Sequence, residues 1–296
     1  MDKPVLLTGA GGRVGQAILR GIGDDYDWRL LDREPLPTTR VPDGVTDADL
    51  YVADITDERA VREAVAGAGA VVHLAGDPRK TAPWDSVLRN NIDGTQVVMR
   101  VAAEAGVEKF AFASSNHAVG GYETDERTPG LYRTDDDYRL DGTELPRPGN
   151  LYGVSKAAGE SLGRFYHDEY GMDVVCVRIG NLTKSHPPRE YERGQAMWLS
   201  HRDCAHLFDR CLLADYGYEV VYGISDNDRR YYSIERAREA LGYDPADNSA
   251  DYTFEGEPKP GTGADVDASD GVATDGSAAP AEPNFPVDVE ETEDGD

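Results

Sequence analysis

The sequence predicts an α/β fold: a doubly wound, mostly parallel sheet of the Rossmann type, with a small C-terminal substrate-binding region. Three observations predict it. Short apolar runs of strand length alternate with longer helical stretches, an order that covers a parallel sheet on both faces. The run Val5–Thr8 passes directly into TGAGGRVG, a glycine-rich turn opening a helix. Polar residues with chemical potential recur just past the ends of the apolar runs, where such sheets take their ligands.

The elements follow in order. VLLT at Val5–Thr8 is a short apolar strand, and 14–19 reads as the first helix. The next strand, 28–31, ends at Asp32, and Val52 lies just before Asp54 at a third strand end. A helix over 58–66 precedes a buried strand at 70–74. The run 91–105 is a helix closed by Gly106, and the strand 110–113 ends at Ser114 and Ser115. A long helix over 152–170 stops at Gly171, and the strand 174–178 leads to Gly180. The stretch 181–199 is polar, carries Pro187 and Pro188, and is expected to form a substrate loop or small subdomain. A helix over 202–214, a strand over 219–222 and a last helix over 234–241 complete the chain, with no internal repeat.

Composition divides the 296 residues unequally. Residues 1–255 form the expected folded unit, with substrate-binding elements mainly in 181–255. Residues 256–296 are rich in Gly, Pro, Ala and acid, with Lys259 their one base, and read as a disordered tail. The formal charge is -26, from 56 acids against 30 bases. Such a surface repels nucleic acid and anionic membranes. Because the acid excess reaches well outside the tail, it reads as adaptation to concentrated salt rather than as one partner-binding acidic segment. Cys176, Cys204 and Cys211 lack paired ligand spacing and read as free thiols of a reducing cytoplasm. No signal peptide and no apolar run of membrane-span length is present in the sequence.

Gly9, Gly12 and Gly15 form G-x-x-G-x-x-G, spaced so that a helix N-terminus can face a pyrophosphate. Arg13 and Val14 lie inside this motif and share its cofactor-side assignment. Asp32, about twenty residues on, can accept from both adenosine ribose hydroxyls and repels a 2′-phosphate, which favours NAD over NADP. Arg33 can stack near adenine or partly offset that repulsion. Asp54 has two readings of equal weight: flanking the adenine with Ile55, or capping the helix that begins near Thr56. Leu74, Ala75 and Gly76 suit close approach to a nucleotide, and Ile179 joins them on the cofactor side at a later strand end.

Tyr152 and Lys156 stand four apart in YGVSK, so on a helix they share one face. A free tyrosine titrates near about 10. An adjacent ammonium favours phenolate and lowers that value, and lysine can also hold the nicotinamide ribose. Ser115 supplies a hydroxyl to orient the reacting oxygen. The expected chemistry is proton abstraction from an alcohol with hydride passing to NAD. No cluster has metal-ligand spacing, and none is needed for this reaction.

TGAGGRVG, Asp32, HLAG at 73–76, NNIDGT at 90–95, SSN at 114–116 and YGVSK at 152–156 resemble the extended short-chain dehydrogenase/reductase family. The resemblance implies Ser115, Tyr152 and Lys156 as the catalytic set, a structural or cofactor-side role for Asn91, and a helix-packed homodimer. Within that family, SSNHAVG, VRIGN at 177–181 and WLSHRD at 198–203 are similar to the uronate dehydrogenase-like group. GDPRKTAPWDSVLRNN and LTKSHPPREYERGQAMWLSHRD are similar to its haloarchaeal branch of NAD-dependent glucose-6-phosphate dehydrogenases, which implies a place in an oxidative pentose phosphate pathway.

The substrate class follows from charge at the end remote from C1. A dianionic phosphate wants several donors, whereas a uronate carboxylate can be held by one fork-like arginine. Arg79 and Lys80 follow one strand end; Lys184, His186, Arg189 and Arg193 follow another. This grouping favours glucose 6-phosphate, with uronate oxidation the alternative and any one of these bases open to reading as a solvated loop charge. Asn181 stands where the uronate group usually has serine. Asn116 and His117 can read hydroxyls near C1–C3, although His117 could instead pack against the substrate loop and His186 could be a turn residue. A nucleotide-sugar epimerase and a non-catalytic NAD-binding scaffold are the weaker readings.

Overall fold

The computed structural model describes residues 3–124, 139–184, 186–188 and 192–252. The tail 256–296 and Arg189 lie outside these described residues. Seven strands form one sheet: β1 (Val5–Thr8), β2 (Trp28–Asp32), β3 (Leu50–Val52), β4 (Ala70–His73), β5 (Lys109–Ser115), β6 (Asp173–Ile179) and β9 (Tyr218–Gly223). Their order is β3-β2-β1-β4-β5-β6-β9, and all six neighbouring pairs are parallel. The order reverses between β1 and β4, which opens a crevice past their C-terminal ends.

Strand side chains alternate, so each strand feeds two cores. Val5 and Leu7 pack with Ile18 and Leu19 of α1 (Arg13–Ile22), Leu207 and Phe208 of α7 (His201–Leu213), and Leu241 of α8 (Glu235–Leu241). Leu6, Val71, Phe110 and Phe112 face the opposite layer, with α2 (Glu58–Val65), α4 (Gly94–Glu104) and α5 (Leu151–Tyr170). Each fully buried Leu, Val or Phe side chain contributes roughly 1.5–3 kcal/mol, which makes these two layers the frame for the site.

Three details depart from the pattern read in the sequence. The helix expected over 91–105 begins earlier, with α3 (Trp84–Val87), and passes through a π-helical turn at Leu88–Asp93 before α4. Asn91 sits in that turn, a local geometry common at functional sites. The polar stretch 181–199 contains a short parallel pair, β7 (Asn181–Leu182) with β8 (Trp198–Leu199), and the one-turn α6 (Glu192–Ala196). Over it lies a third core of Val119, Leu140, Met197, Tyr222, Ile224, Tyr231 and Tyr232. Sequence periodicity could not show this core, because its members come from five separate segments.

Helix α5 lies unusually close to the sheet. A Cβ at Gly159 would stand 2.3 Å from the Phe112 ring, and one at Gly153 would stand 2.2 Å from the His117 carbonyl oxygen. Asn150 caps the helix by accepting from Gly153 N at 2.8 Å. Gly171 ends it at φ 70, a left-handed conformation that glycine adopts without penalty.

Candidate active site

The glycine-rich turn is built as its spacing predicts. Gly9 has φ 72, and a Cβ there would lie 2.8 Å from Ala75 N. A Cβ at Gly15 would lie 2.7 Å from Ala10 O, so α1 is drawn tightly onto the turn. The N-terminus of α1 has no side-chain cap and no acid in its first turn, leaving its amides for an external anion. Asp32 ends β2 and accepts from Gly11 N at 2.8 Å through Oδ2. These features fit a dinucleotide: close backbone approach, uncapped amides for pyrophosphate, and a carboxylate at ribose reach.

Leu74 and Ala75 are half-buried at the end of β4, with Gly76 exposed beyond them. Val14 packs against the α1-side core. Arg13 donates to Leu182 O at 2.8 Å, tying the turn to β7. Asp54 accepts from Thr56 N at 2.9 Å and Thr56 Oγ1 at 2.8 Å, and from Arg89 at 3.2 Å. Burial pushes its carboxyl up, but the Thr56 bonds and the charges of Arg89 and Arg33 outweigh this and hold it below the ordinary range. The capping reading of Asp54 shifts by one turn: α2 begins at Glu58 and its cap is Asp57, which accepts from Arg59 N and Ala60 N. Ile55 is buried beside Gly94 rather than open on the crevice.

Asn91 is a staple. Its Oδ1 accepts from Asp77 N at 2.6 Å, and its Nδ2 donates to Asp77 O at 3.0 Å and Ser155 Oγ at 3.1 Å. The loop after β4 is thereby fixed to α5, which carries Tyr152 and Lys156.

Ser115 ends β5, buried; Ile179 is its register partner on β6. Tyr152 stands in the first turn of α5 with its ring edge-on to His117 at 5.8 Å between centroids. The Lys156 Nζ lies 5.5 Å from the Tyr152 ring centroid and 5.0 Å from that of Phe112, and donates to Ala113 O at 2.7 Å. Protonation here runs against the expectation drawn from the ammonium alone. Burial pushes the Tyr152 phenol up to about 12; the Ser115 hydroxyl pulls it down and Asp77 adds to the rise. Burial pulls Lys156 down to about 8, opposed by Glu160. Desolvation outweighs the Ser115 hydrogen bond at Tyr152 and the Glu160 charge at Lys156.

Asn116 and His117 follow Ser115 into a 3₁₀ run, Asn116–Thr124. His117 N donates to Ser115 Oγ at 3.2 Å, and its Nδ1 is hydrogen-bonded to Asn150 Nδ2 at 3.2 Å. With its amide oriented to suit its neighbours, Asn116 donates to Ser115 Oγ at 3.3 Å and Ile179 O at 3.2 Å, and accepts from Arg193 Nη2 at 3.2 Å.

The expected cluster of cations is dispersed. Arg79 is exposed and forked onto Asp77 at 2.9 and 2.6 Å, and that pairing, with Ser86, holds the Asp77 carboxyl down to about 2. Lys80 is half-buried in the same loop. His186 closes a turn, its Nδ1 bonded to Pro187 O at 3.0 Å and its carbonyl accepting from Thr183 Oγ1. Lys184 lines a concavity of about 400 Å³ with Gly11, Gly12, Arg13, Gln16, Arg20, Arg40 and His201, beside the glycine-rich turn and not beside Tyr152. Arg193 pairs with Glu123, which also accepts from Tyr231 and Tyr232 at 3.0 Å each. Asn181 opens β7, its amide donating to Met197 O at 2.7 Å.

Several residues here carried no role in the sequence reading. His73, fully buried, is bonded to Thr8 Oγ1 at 2.7 Å and Thr95 Oγ1 at 3.1 Å; burial, with Lys156 adding, lowers its imidazole to about 3. It bridges β1, β4 and α4 behind the crevice. Glu160 repeats the four-residue spacing of Tyr152 and Lys156, a signal present in the sequence. Among the described residues, no group of three His, Cys, Asp or Glu could hold a metal ion, and all three cysteines are free and buried.

The family sequence model described as "NAD dependent epimerase/dehydratase family" matches residues 5–202. The chain is 73% identical over 258 residues to a NAD-dependent glucose-6-phosphate dehydrogenase of Haloferax volcanii, spanning 87% of this chain and 98% of that one. It is 34% identical over 265 residues to a uronate dehydrogenase of Pseudomonas putida, spanning 88% and 90%. A crystal structure of a uronate dehydrogenase mutant from Agrobacterium tumefaciens, complexed with NAD, superimposes with a TM-score of 0.71 at 31% identity, covering 86% of this chain and 92% of that one.

Proposed function

From the premise that the chain belongs to the NAD-dependent epimerase/dehydratase family, we propose that it oxidises the C1 hydroxyl of glucose 6-phosphate to 6-phosphogluconolactone with NAD. The observation that carries the chemistry is the convergence of Ser115, Tyr152 and Lys156 at one end of β5 and α5, across the sheet from an uncapped glycine-rich turn. The choice of sugar phosphate rests on the 73% identity to the Haloferax volcanii enzyme.

Bound NAD supplies the hydride acceptor. The amides of Arg13 and Val14 at the start of α1 would hold the pyrophosphate, Gly9, Gly12 and Gly15 would let it approach the backbone closely, and Asp32 would receive the adenosine ribose beside Arg33 and Asp54. Leu74, Ala75, Gly76 and Ile179 flank the cofactor. Ser115 Oγ donates to the reacting oxygen, Tyr152 takes its proton, and Lys156 supports the phenolate with a positive charge. Asn116 and His117 orient the sugar ring. Because burial raises the Tyr152 phenol to about 12, proton abstraction gains with rising pH until Lys156 loses its charge.

A uronate reading retains one structural argument. The guanidinium of Arg193 reaches Asn116, next to Ser115, at 3.2 Å, and a fork of this kind suits a carboxylate, which here would compete with Glu123 for it. Initial rates with glucose 6-phosphate, glucose, glucuronate and galacturonate at high KCl, with NAD and NADP separately, decide between the two. Activity on glucose 6-phosphate with NAD, lowered about 10²–10⁴-fold by Tyr152→Phe, is the expected result. Equal turnover of glucuronate, or an unaffected Tyr152→Phe variant, refutes it.

Among the described residues no helix is long and apolar enough to cross a membrane, and we place the enzyme in the cytoplasm. Exposed Phe165 and Tyr170 on α5 offer apolar surface for a homodimer, which light scattering would register as twice the chain mass.

A further inference from the structure

Behind Lys156 lies a buried charge cluster that the chemistry above leaves without a role. Tyr152, Lys156 and Glu160 are spaced i, i+4, i+8 along α5 and so share one face. Glu160 is 4% exposed. Its carboxylate accepts from Arg178 Nε and Nη2 at 2.9 Å each, and from Ser114 Oγ at 2.6 Å. Arg178 rises from β6, 2% exposed, and its Nη1 reaches Tyr222 OH at 3.3 Å and Glu144 Oε2 at 3.5 Å. Glu144 accepts in turn from Gly142 N at 3.0 Å and Tyr222 OH at 3.2 Å. Two carboxylates therefore face one guanidinium, leaving the cluster negative.

A buried ion pair gives little net stability over well-packed apolar side chains, so stability alone does not account for it. Its position does. The cluster begins one helical turn from Lys156, whose ammonium donates to Ala113 O and has further N–H groups to offer. The charged and titratable groups around Lys156 are Tyr152 and Glu160 on α5, His73 on β4, Asp77 in the loop that follows, and Arg178 on β6 behind Glu160. His73 is buried and neutral. Burial drives Lys156 toward its neutral form, and Glu160 is the group that opposes it.

We propose that Glu160 is a positioning residue for Lys156: its carboxylate, pinned by Arg178 and Ser114 one helical turn along the same face of α5, keeps charged the ammonium that Ala113 O holds beside Tyr152. The proposal rests on the reading of Lys156 as the cation that holds the cofactor ribose.

The test is the pH dependence of the NAD dissociation constant, measured by calorimetry at fixed high KCl on wild type, Glu160→Gln, Glu160→Asp and Arg178→Lys. Wild-type affinity falls as pH rises through about 8. Glu160→Gln leaves Arg178 paired with Glu144 and moves the midpoint down by about one unit. NAD binding is then roughly fivefold weaker at pH 8 and unchanged at pH 6. Glu160→Asp and Arg178→Lys keep their charges; both lower the melting temperature and leave the midpoint in place. An unmoved midpoint in Glu160→Gln, or an equal shift in the charge-preserving variants, overturns the proposal while leaving the cofactor reading intact. Should Glu160→Gln not fold, Glu160→Met removes the same charge at similar volume: a downward shift of its midpoint supports the proposal and an unmoved one overturns it. Wild type that binds no NAD at any pH removes the underlying reading, and this inference with it.

Discussion

Replacing Gly153 by alanine perturbs the reaction centre without touching a group that takes part in chemistry. An added Cβ would stand 2.2 Å from His117 O, 2.8 Å from the His117 carbonyl carbon and 3.1 Å from Pro148 Cβ. The first two are backbone atoms, so no side chain can swing aside. Restoring an ordinary carbon–oxygen contact of about 3.3 Å requires α5 and the His117 backbone to separate by roughly 1 Å. Tyr152 lies on one side of that gap and Ser115, bonded to His117 N at 3.2 Å, on the other. A misplacement of about 1 Å between reacting groups lowers rates about 100-fold, which is about 2.7 kcal/mol of transition-state stabilisation. Helix propensity acts the other way, favouring alanine by about 1 kcal/mol and offsetting part of an overpacking cost of about 1–3 kcal/mol. Gly153→Ala is therefore expected to fold, to bind NAD within about threefold of wild type by the distance argument, and to lose about two orders of magnitude in kcat/KM. The assay is NADH formation from glucose 6-phosphate at high KCl, with a thermal melt alongside. A folded variant whose kcat/KM stays within about threefold of wild type refutes the claim that the α5–His117 contact sets the Tyr152–Ser115 spacing.

Asp32→Ala removes the acceptor for the adenosine ribose; kcat/KM with NAD should fall about 10–100-fold while the ratio of NADP to NAD turnover rises, as measured by initial rates with each cofactor. Lys184→Ala should raise the NAD dissociation constant in calorimetry and leave the KM for the sugar unchanged, because Lys184 stands with Gly11 and Gly12; the opposite split would return it to the substrate. His73 titrates at about 3 in the folded chain against 6.5 as its ordinary value. The unfolded chain therefore takes up a proton that the folded chain refuses, and stability falls as pH drops below 6.5. The loss reaches about 2 kcal/mol by pH 5, so His73→Gln should show a smaller fall in melting temperature between pH 7 and 5 than wild type.

The parallel sheet, the glycine-rich turn, Asp32 at its strand end and the Tyr152–Lys156 face were legible because each depends on local periodicity or short spacing. The π-helical turn around Asn91 was not, since its cause is a set of bonds to Asp77 and Ser155 on other segments. The cations illustrate the same limit. Arg79 and Lys80 form one short basic stretch and Lys184, His186 and Arg193 another, yet Arg79 is taken up by Asp77, Lys184 joins the glycine-rich turn and Arg193 pairs with Glu123.

By itself, then, the chain's order of residues determined the sheet, the glycine-rich turn and the shared face of Tyr152 and Lys156, because hydrophobic alternation and helical spacing act over a few residues. Tertiary structure alone decided which charges meet and which are neutral. Desolvation moves Tyr152 up, Lys156 down and His73 far below neutrality, and burial of that kind is a property of how distant segments pack.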